Sequence, residues 1–380
     1  VASIKQRPDG QWRARYRDAT GKEKARHFPR KVDAQRWLDS VTTAVQTGTY
    51  TDPKLSRVTV ADLAGPWLDG QAHLKPSTRA VYGHVLRKHV LPRWGTVRLS
   101  DIAHSDVQGW VSQLAETLAP ETVRKIYRNL SLILTSAVRD SRIARNPCDK
   151  VKLPRRVQRE QLYLTHAQVH AMAEKSGNYR LVVLALAYLG LRWGEMAALR
   201  VGRIDFLRRR LLVAESVTLV DGVQTWGAPK SYEHREVPIP RFLAEELASH
   251  VAGKNAEDLV FTGVRRGGAL RVTTFRRAAF DRAAAEVGAR GLRPHDLRHT
   301  AASLAIASGA TVKVVQRMLG HASATVTLDR YGHLYGDDLD DLANRMYAAA
   351  EAFRGNSADF LRTSGKLILL EGRQELAEAP

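Results

Sequence analysis

Cysteine is nearly missing from this sequence. Cys148 stands alone among 380 residues, so no disulfide can close within the chain and a reducing compartment is expected. Long apolar runs are missing too. The longest, Leu181 to Leu191, is shut in by Arg180 and Arg192 and falls well short of the roughly 20 residues that span a bilayer. The first residues lack the apolar stretch of a signal peptide, so a cytoplasmic protein without a membrane partner is expected. Neither a Gly-rich phosphate loop nor an internal repeat occurs. Acidic residues are in deficit: 39 Asp and Glu face 59 Lys and Arg, a formal charge of +20. Such an excess attracts polyanions, nucleic acid first among them, although a ribosome-associated or merely basic protein would share it. Hydrophobic residues at 44% suffice for real cores, and the length calls for two or three domains.

Residues 1–57 read as a small β-rich module. Along Gln11-Trp12-Arg13-Ala14-Arg15-Tyr16-Arg17 apolar and basic residues alternate, which predicts a strand with one oily face and one arginine face. Ala19-Thr20-Gly21-Lys22 suits a hairpin turn, Lys24 to Phe28 a return strand, and Asp33 to Val45 a helix with Trp37, Leu38 and Val41 on one side. From 58 to 150 the pattern turns helical. Helices are expected after Thr59, from Ser77-Thr78 through Val81, Val85 and His89, and from Glu121 to Arg142, punctuated by Pro92, Gly95 and Pro120. Residues 151–160 are basic and broken by proline, and read as an unpacked linker. Residues 161–350 form the largest unit: helices at Thr165 to Ala173 and from Tyr179, a meander from Arg210 to Ile239 turning at Asp221-Gly222, then helices again. The tail, 351–380, is expected to lose regularity from about Phe353, and Lys366 to Leu370 to add a strand or pack against a partner.

Four short signatures stand in order in the largest unit. They are Gly190-Leu191-Arg192-Trp193-Gly194-Glu195-Met196 at the end of an apolar helix, and Pro229-Lys230 ahead of Arg235-Glu236-Val237-Pro238. Then come His295-Asp296-Leu297-Arg298-His299-Thr300, and Leu319-Gly320-His321 followed ten positions later by Tyr331. His295, Arg298 and His299 are three and four steps apart and so share one side of a helix. Leu297, Ala301 and Leu304 mark its buried side. Two rigidly held arginines, a lysine, histidines and a tyrosine suit a tetrahedral anion. Guanidinium forks match phosphate oxygens in pairs and stay charged at physiological pH. Taken singly, each residue has a plainer reading: Arg192 a helix-end cation, Lys230 a solvated surface group, Tyr331 a packed aromatic. His295-Asp296-x-x-His299 also resembles the His-Glu-x-x-His pattern of zinc hydrolases, but Arg298 would crowd a dication and no clear third ligand follows. The ordered set is what is specific.

That set resembles the tyrosine recombinase family, lambda-type phage integrases in particular, whose catalytic series reads Arg, Lys, His, Arg, His or Trp, Tyr. The matching positions are Arg192, Lys230, His295, Arg298, His321 and Tyr331, spread over most of residues 160–340. Tyr335 is the other tyrosine near the family's interval, and the Arg-Tyr-x-His context favours Tyr331. The layout ahead is similar to the arm-binding and core-binding modules of such integrases, through Gly10 to Tyr16 and Phe28 to Trp37. The implied fold is multidomain and mainly α with small β-sheets. It has a β-sheet-plus-helix arm-binding domain at 1–57, a helical core-binding domain at 58–150 and an α+β catalytic domain at 161–350.

The resemblance implies site-specific cutting and rejoining of DNA through a 3′-phosphotyrosyl link, integrating and excising phage or mobile-element DNA. A Xer-type resolvase, a type IB topoisomerase-like enzyme and a catalytically inactive DNA-binding regulator are the alternative readings. By position, Arg192 and Arg298 would grip the scissile phosphate, Tyr331 attack, His295 accept its proton, Lys230 protonate the departing 5′ oxygen, and His321 bond the phosphate or the tyrosine oxygen. Glu195 and Asp296 would support these side chains. No metal, cofactor or ATP is called for. The implied partners are double-stranded DNA at core and arm attachment sites, contacted by Arg13, Arg15, Arg17, Arg155 and Arg156. Four protomers would assemble on it, with a DNA-bending host factor and an excisionase, in a bacterial nucleoid.

Overall fold

Alternation along the first arginine-rich segment sets the first layer of the protein. The computed structural model describes residues 2–17, 21–47, 57–156, 161–229, 234–263, 268–335 and 339–360. Strands β1 (Ser3–Gln6), β2 (Trp12–Arg17) and β3 (Glu23–Phe28) form an antiparallel sheet in that order. Side chains on a strand point alternately to its two faces. Ala14 and Tyr16 are therefore buried against Ala34 and Leu38 of helix α1 (Lys31–Gln46), while Arg13, Arg15 and Arg17 face outward. The register adds Lys5 and His27 beside Arg13. The outer face is not purely cationic, since Glu23 lies 3.4 Å from Arg13 and 3.8 Å from Arg15. Ala19 and Thr20 of the expected turn lie outside the described residues.

A second core gathers α2 (Val60–Asp69), α3 (Pro76–Val85), α4 (Leu91–Trp94), α5 (His104–Thr117) and α6 (Pro120–Arg139). Thr59 and Asp62 cap α2 reciprocally, each side chain accepting the other's backbone N–H. Along α6, Val123, Ile126, Leu130, Ile133, Leu134 and Ala137 are buried at helical spacing. The stretch expected to be an unpacked linker begins by packing. Val151 is buried in this core, and Arg124 donates through Nε and Nη2 to the Pro154 carbonyl at 3.1 and 2.9 Å. Apolar side chains at Val151 and Leu153 outweigh the basic composition there. Arg155 is exposed, Arg156 pairs with Glu121 at 2.9 Å in the open, and residues 157–160 lie outside the described residues.

The largest core is threaded by α8 (Arg180–Leu189), buried from Val182 to Ala187, which packs against α7 (His166–Lys175) and later helices. The short α9 (Trp193–Ala197) leads into β4 (Ile204–Asp205), β5 (Arg210–Val213), β6 (Ser216–Val220), β7 (Val223–Gly227) and β8 (Arg235–Pro238). These strands do not make one meander. Among the described residues β5 pairs with β4 and β8, and β6 pairs only with β7. Asp221 and Gly222 both take positive φ, 47° and 85°, as in two-residue hairpin turns whose twist matches antiparallel strands. The hairpin therefore closes on itself, leaving β5 for β8.

Helices α10 (Arg241–Val251), α11 (Val272–Phe275), α12 (Asp281–Glu286), α13 (Asp296–Ala307), α14 (Val312–Leu319), α15 (Ala324–Tyr331) and α16 (Leu339–Phe360) follow. The loss of regularity expected from Phe353 does not occur before Phe360. Ala348, Ala349, Ala350 and Ala352 are strong helix formers and carry α16 across residue 350. Residues 361–380, with the Lys366 to Leu370 stretch, lie outside the described residues. Among the described residues no helix is long and apolar enough to cross a membrane.

Candidate active site

The site is built around the C-terminal end of α14. Gly320 takes φ 64°, the left-handed conformation that ends a helix. Three successive carbonyls there are taken by three arginines. Arg235 Nε donates to Met318 O at 3.0 Å, Arg298 Nη2 to Leu319 O, and Arg192 Nη2 to Gly320 O at 3.4 Å. The carbonyl end of a helix carries partial negative charge and lacks intrahelical partners, so cations are stabilised there. A Cβ at position 320 would lie 2.8 Å from Arg235 Cδ. Gly320→Ala is therefore expected to lose about 1–2 kcal/mol from the backbone alone and to displace Arg235. An unchanged urea midpoint would contradict this.

Arg192 stands beyond α8 rather than on it. The apolar run suggested a helix reaching Arg192, but Gly190 at φ 61° closes it at Leu189, and Arg192 caps α9. Glu195, 3% exposed, accepts from Arg192 N and Nη1, both at 2.8 Å. It also accepts from Arg235 Nη1 at 3.0 Å and Nη2 at 2.6 Å. Burial alone would raise its pKa; the bonds and charges of Arg235, then Arg192, hold it down at about 2. Arg298, also 3% exposed, donates through Nη1 to Gly190 O at 2.6 Å. It thereby ties the loop carrying Arg192 to the loop carrying His321. Burial, then repulsion from Arg192, pulls Arg298 down to about 9, which leaves it charged at pH 7.

Tyr331, the last residue of α15, is fully buried. Its hydroxyl lies 2.7 Å from His299 Nδ1, and its ring lies parallel to that of His321 at 6.3 Å. Burial pushes the phenol up to about 12 against the pull of Arg298 and Arg330. Burial likewise pushes His299 and His321 down to about 4. At neutral pH a protonated phenol thus meets a neutral imidazole, and a ring protonated on Nε2 leaves Nδ1 to accept the phenol proton. Thr327 Oγ1, 2.9 Å from His321 Nδ1, orients the second ring.

Arg192, Arg298, His321 and Tyr331 are thus brought together, with Glu195 beneath them. Exposed His295 precedes α13, its ring 5.3 Å from that of His299. Asp296 accepts from the Arg293 N–H at 2.8 Å, which anchors the start of α13. Lys230 lies outside the described residues. The Tyr335 hydroxyl is buried without a hydrogen-bond partner among the described residues. Two side chains at the site had no assigned role in the sequence reading, His299 and Arg235. Each had a signal: His299 shares the face of Arg298, and Arg235 is in strand phase with the buried Val237. Arg192 also lines a cavity of about 860 Å³ between His73 to Thr78 of the helical unit and the β6–β7 hairpin. Beside it Lys75 Nζ donates to the Ala228 and Pro229 carbonyls at 3.4 and 3.1 Å.

Residues 162–337 match the Phage integrase family, and residues 59–115 match the phage integrase N-terminal SAM-like domain. The integrase of Mycobacterium phage D29 is 27% identical over 337 residues, covering 84% of this chain and 88% of its own. The Tn1549 transposon integrase, solved with a circular intermediate DNA, superposes with a TM-score of 0.64 at 20% identity, over 76% of this chain and 99% of that one. A lambda integrase tetramer bound to a Holliday junction gives 0.56 at 18% identity, over 86% and 94%. These matches place residues 59–115 and 162–337 in the phage integrase family of tyrosine recombinases.

Proposed function

We propose that this chain breaks and rejoins double-stranded DNA at specific sites, with Tyr331 as the nucleophile, and so integrates and excises a phage or mobile element. The observation that carries the reading is the Tyr331 hydroxyl held 2.7 Å from a neutral histidine, beside arginines fixed by backbone carbonyls. The tyrosine oxygen attacks phosphorus as its proton passes to His299 Nδ1, the nearest base to it. His295, the acceptor implied by family position, lies one ring further out and would relay that proton. Arg192 and Arg298 stabilise the five-coordinate phosphorus through their remaining N–H groups. Lys230 gives the departing 5′ oxygen its proton, and His321 bonds the phosphate or the tyrosine oxygen. The result is a 3′-phosphotyrosyl bond and a free 5′ hydroxyl. Attack by a 5′ hydroxyl of a partner duplex reverses the step, one phosphoester replacing another without ATP.

DNA is the partner that the charge of +20 and the outward Arg13, Arg15 and Arg17 favour. In this reading residues 1–57 bind arm sites, 58–150 bind the core site, and Arg155 and Arg156 track the backbone between units. Exposed Met346, Tyr347 and Phe353 on α16 are apolar surface that a neighbouring protomer of a DNA-bound tetramer would cover. A DNA-bending host factor and an excisionase complete the assembly on the nucleoid. The test uses a nicked duplex spanning the junction where the encoding element meets host DNA. A detergent-stable adduct mapping to Tyr331 and unaffected by chelator is expected; a metal requirement, or an adduct elsewhere, overturns the mechanism. Relaxation of supercoiled DNA lacking that junction would favour the topoisomerase reading instead.

A further inference from the structure

Arg235 belongs to none of the six family positions, yet it is the most elaborately held cation next to them. Only 9% of it is exposed. Its Nε is fixed by Met318 O, and both Nη atoms form a fork on Glu195, at 3.0 and 2.6 Å. The same carboxylate is the partner of Arg192 Nη1 at 2.8 Å. An arginine paired with a carboxylate alone is neutralised as a pair and drawn toward that carboxylate. Glu195 has two claimants, so its charge is divided. Three guanidinium groups around one carboxylate leave two net positive charges at the site. A phosphodiester arrives with one negative charge, and attack by a tyrosine oxygen that has lost its proton adds a second.

We propose that Arg235 is a positioning residue for DNA cleavage: it absorbs the charge of Glu195 so that Arg192 keeps its fork and its charge for the scissile phosphate. This rests on the recombinase reading. Glu195 in turn acts as the rigid strut, bonding the Arg192 backbone N–H and side chain together. The pair therefore aims Arg192 without touching DNA.

Charge-sum and purely structural roles part company in a double substitution. R235Q leaves Glu195 with Arg192 as its charged partner and lowers the site by one positive charge. E195Q/R235Q removes both charges, leaves amides able to bond one another, and restores the original sum. On the nicked junction duplex, R235Q is expected to form adduct at least about 100-fold more slowly, with DNA affinity within about threefold. E195Q/R235Q is expected to recover at least about tenfold of that loss. R235K, which keeps the charge but not the fork, should fall between. If R235Q proves too unstable to purify, because a buried carboxylate loses its main partner, the double variant decides: cleavage within about tenfold of wild type supports the proposal, and a loss beyond about 100-fold overturns it. Undiminished cleavage by R235Q, or a double variant no faster than R235Q, also overturns it. Wild-type protein that leaves the duplex unlinked overturns the recombinase reading itself, whereas linkage by wild type and R235Q alike overturns this proposal alone.

Discussion

Tyr331→Phe protein is expected to form no covalent adduct with nicked DNA while binding that DNA as tightly as wild type. The substitution removes one oxygen and little else. That oxygen is the nucleophile in the mechanism above, so the loss should be complete rather than graded. Affinity should survive because it depends on phosphate contacts from the basic surface and not on a buried phenol. Folding should survive as well. Phenylalanine fills the same space, and the cost is one unpaired buried nitrogen on His299, about 1–2 kcal/mol. Detergent gels of trapped complexes, read beside a filter-binding curve, give both results. An adduct persisting in the variant would transfer the nucleophile to Tyr335.

His299→Ala should slow cleavage by about 10² to 10⁴, the usual worth of a positioned general base. Its pH profile identifies the loss as chemical. With its pKa pushed down to about 4 by burial, His299 is neutral throughout the neutral range. Wild-type cleavage should then lose rate only as acid charges the ring near pH 4, well below the 6.5 of an ordinary histidine. Without the imidazole, attack must wait for the phenolate of a tyrosine whose pKa is about 12. The rate of the variant should therefore climb about tenfold per pH unit between about pH 6 and 8, where wild type is flat and Arg298 still holds its charge. His295→Ala is the control. A larger loss there than in His299→Ala would return the role of first acceptor to His295.

The sequence carried the chemistry more clearly than the geometry. Spacing put His295, Arg298 and His299 on one side of a helix, although His295 stands just ahead of it, and the ordered set of signatures drew attention to Arg192 and Tyr331. Spacing also suggested an amphipathic α13, with Leu297, Ala301 and Leu304 inward. In the structure Arg298, His299 and Thr300 are buried too, because carbonyls from Gly190 and Leu319 and the Tyr331 hydroxyl close over the polar side. Such partners come from 21 to 108 positions away, and no local pattern announces them. Arg235 illustrates the same limit. Its strand phase marks it as inward, but only the tertiary fold brings Glu195 and Met318 to it. The oily and arginine faces of β2 were legible because a strand reports both faces in six residues. The division of β5 and β6 between separate sheets was not, since pairing partners are set by turn twist and not by the strands' own composition.

Tyr331 ends a helix of eight residues that begins just after Ser323, so its aim is governed by rotation as well as reach. Each added residue turns a helix by about 100° and advances it about 1.5 Å. The stretch from His321 to Tyr331 consequently works as a ratchet with discrete stops rather than as a tether of adjustable slack. A one-residue change of length there would swing the ring away from both histidines, even though the chain could still span the gap.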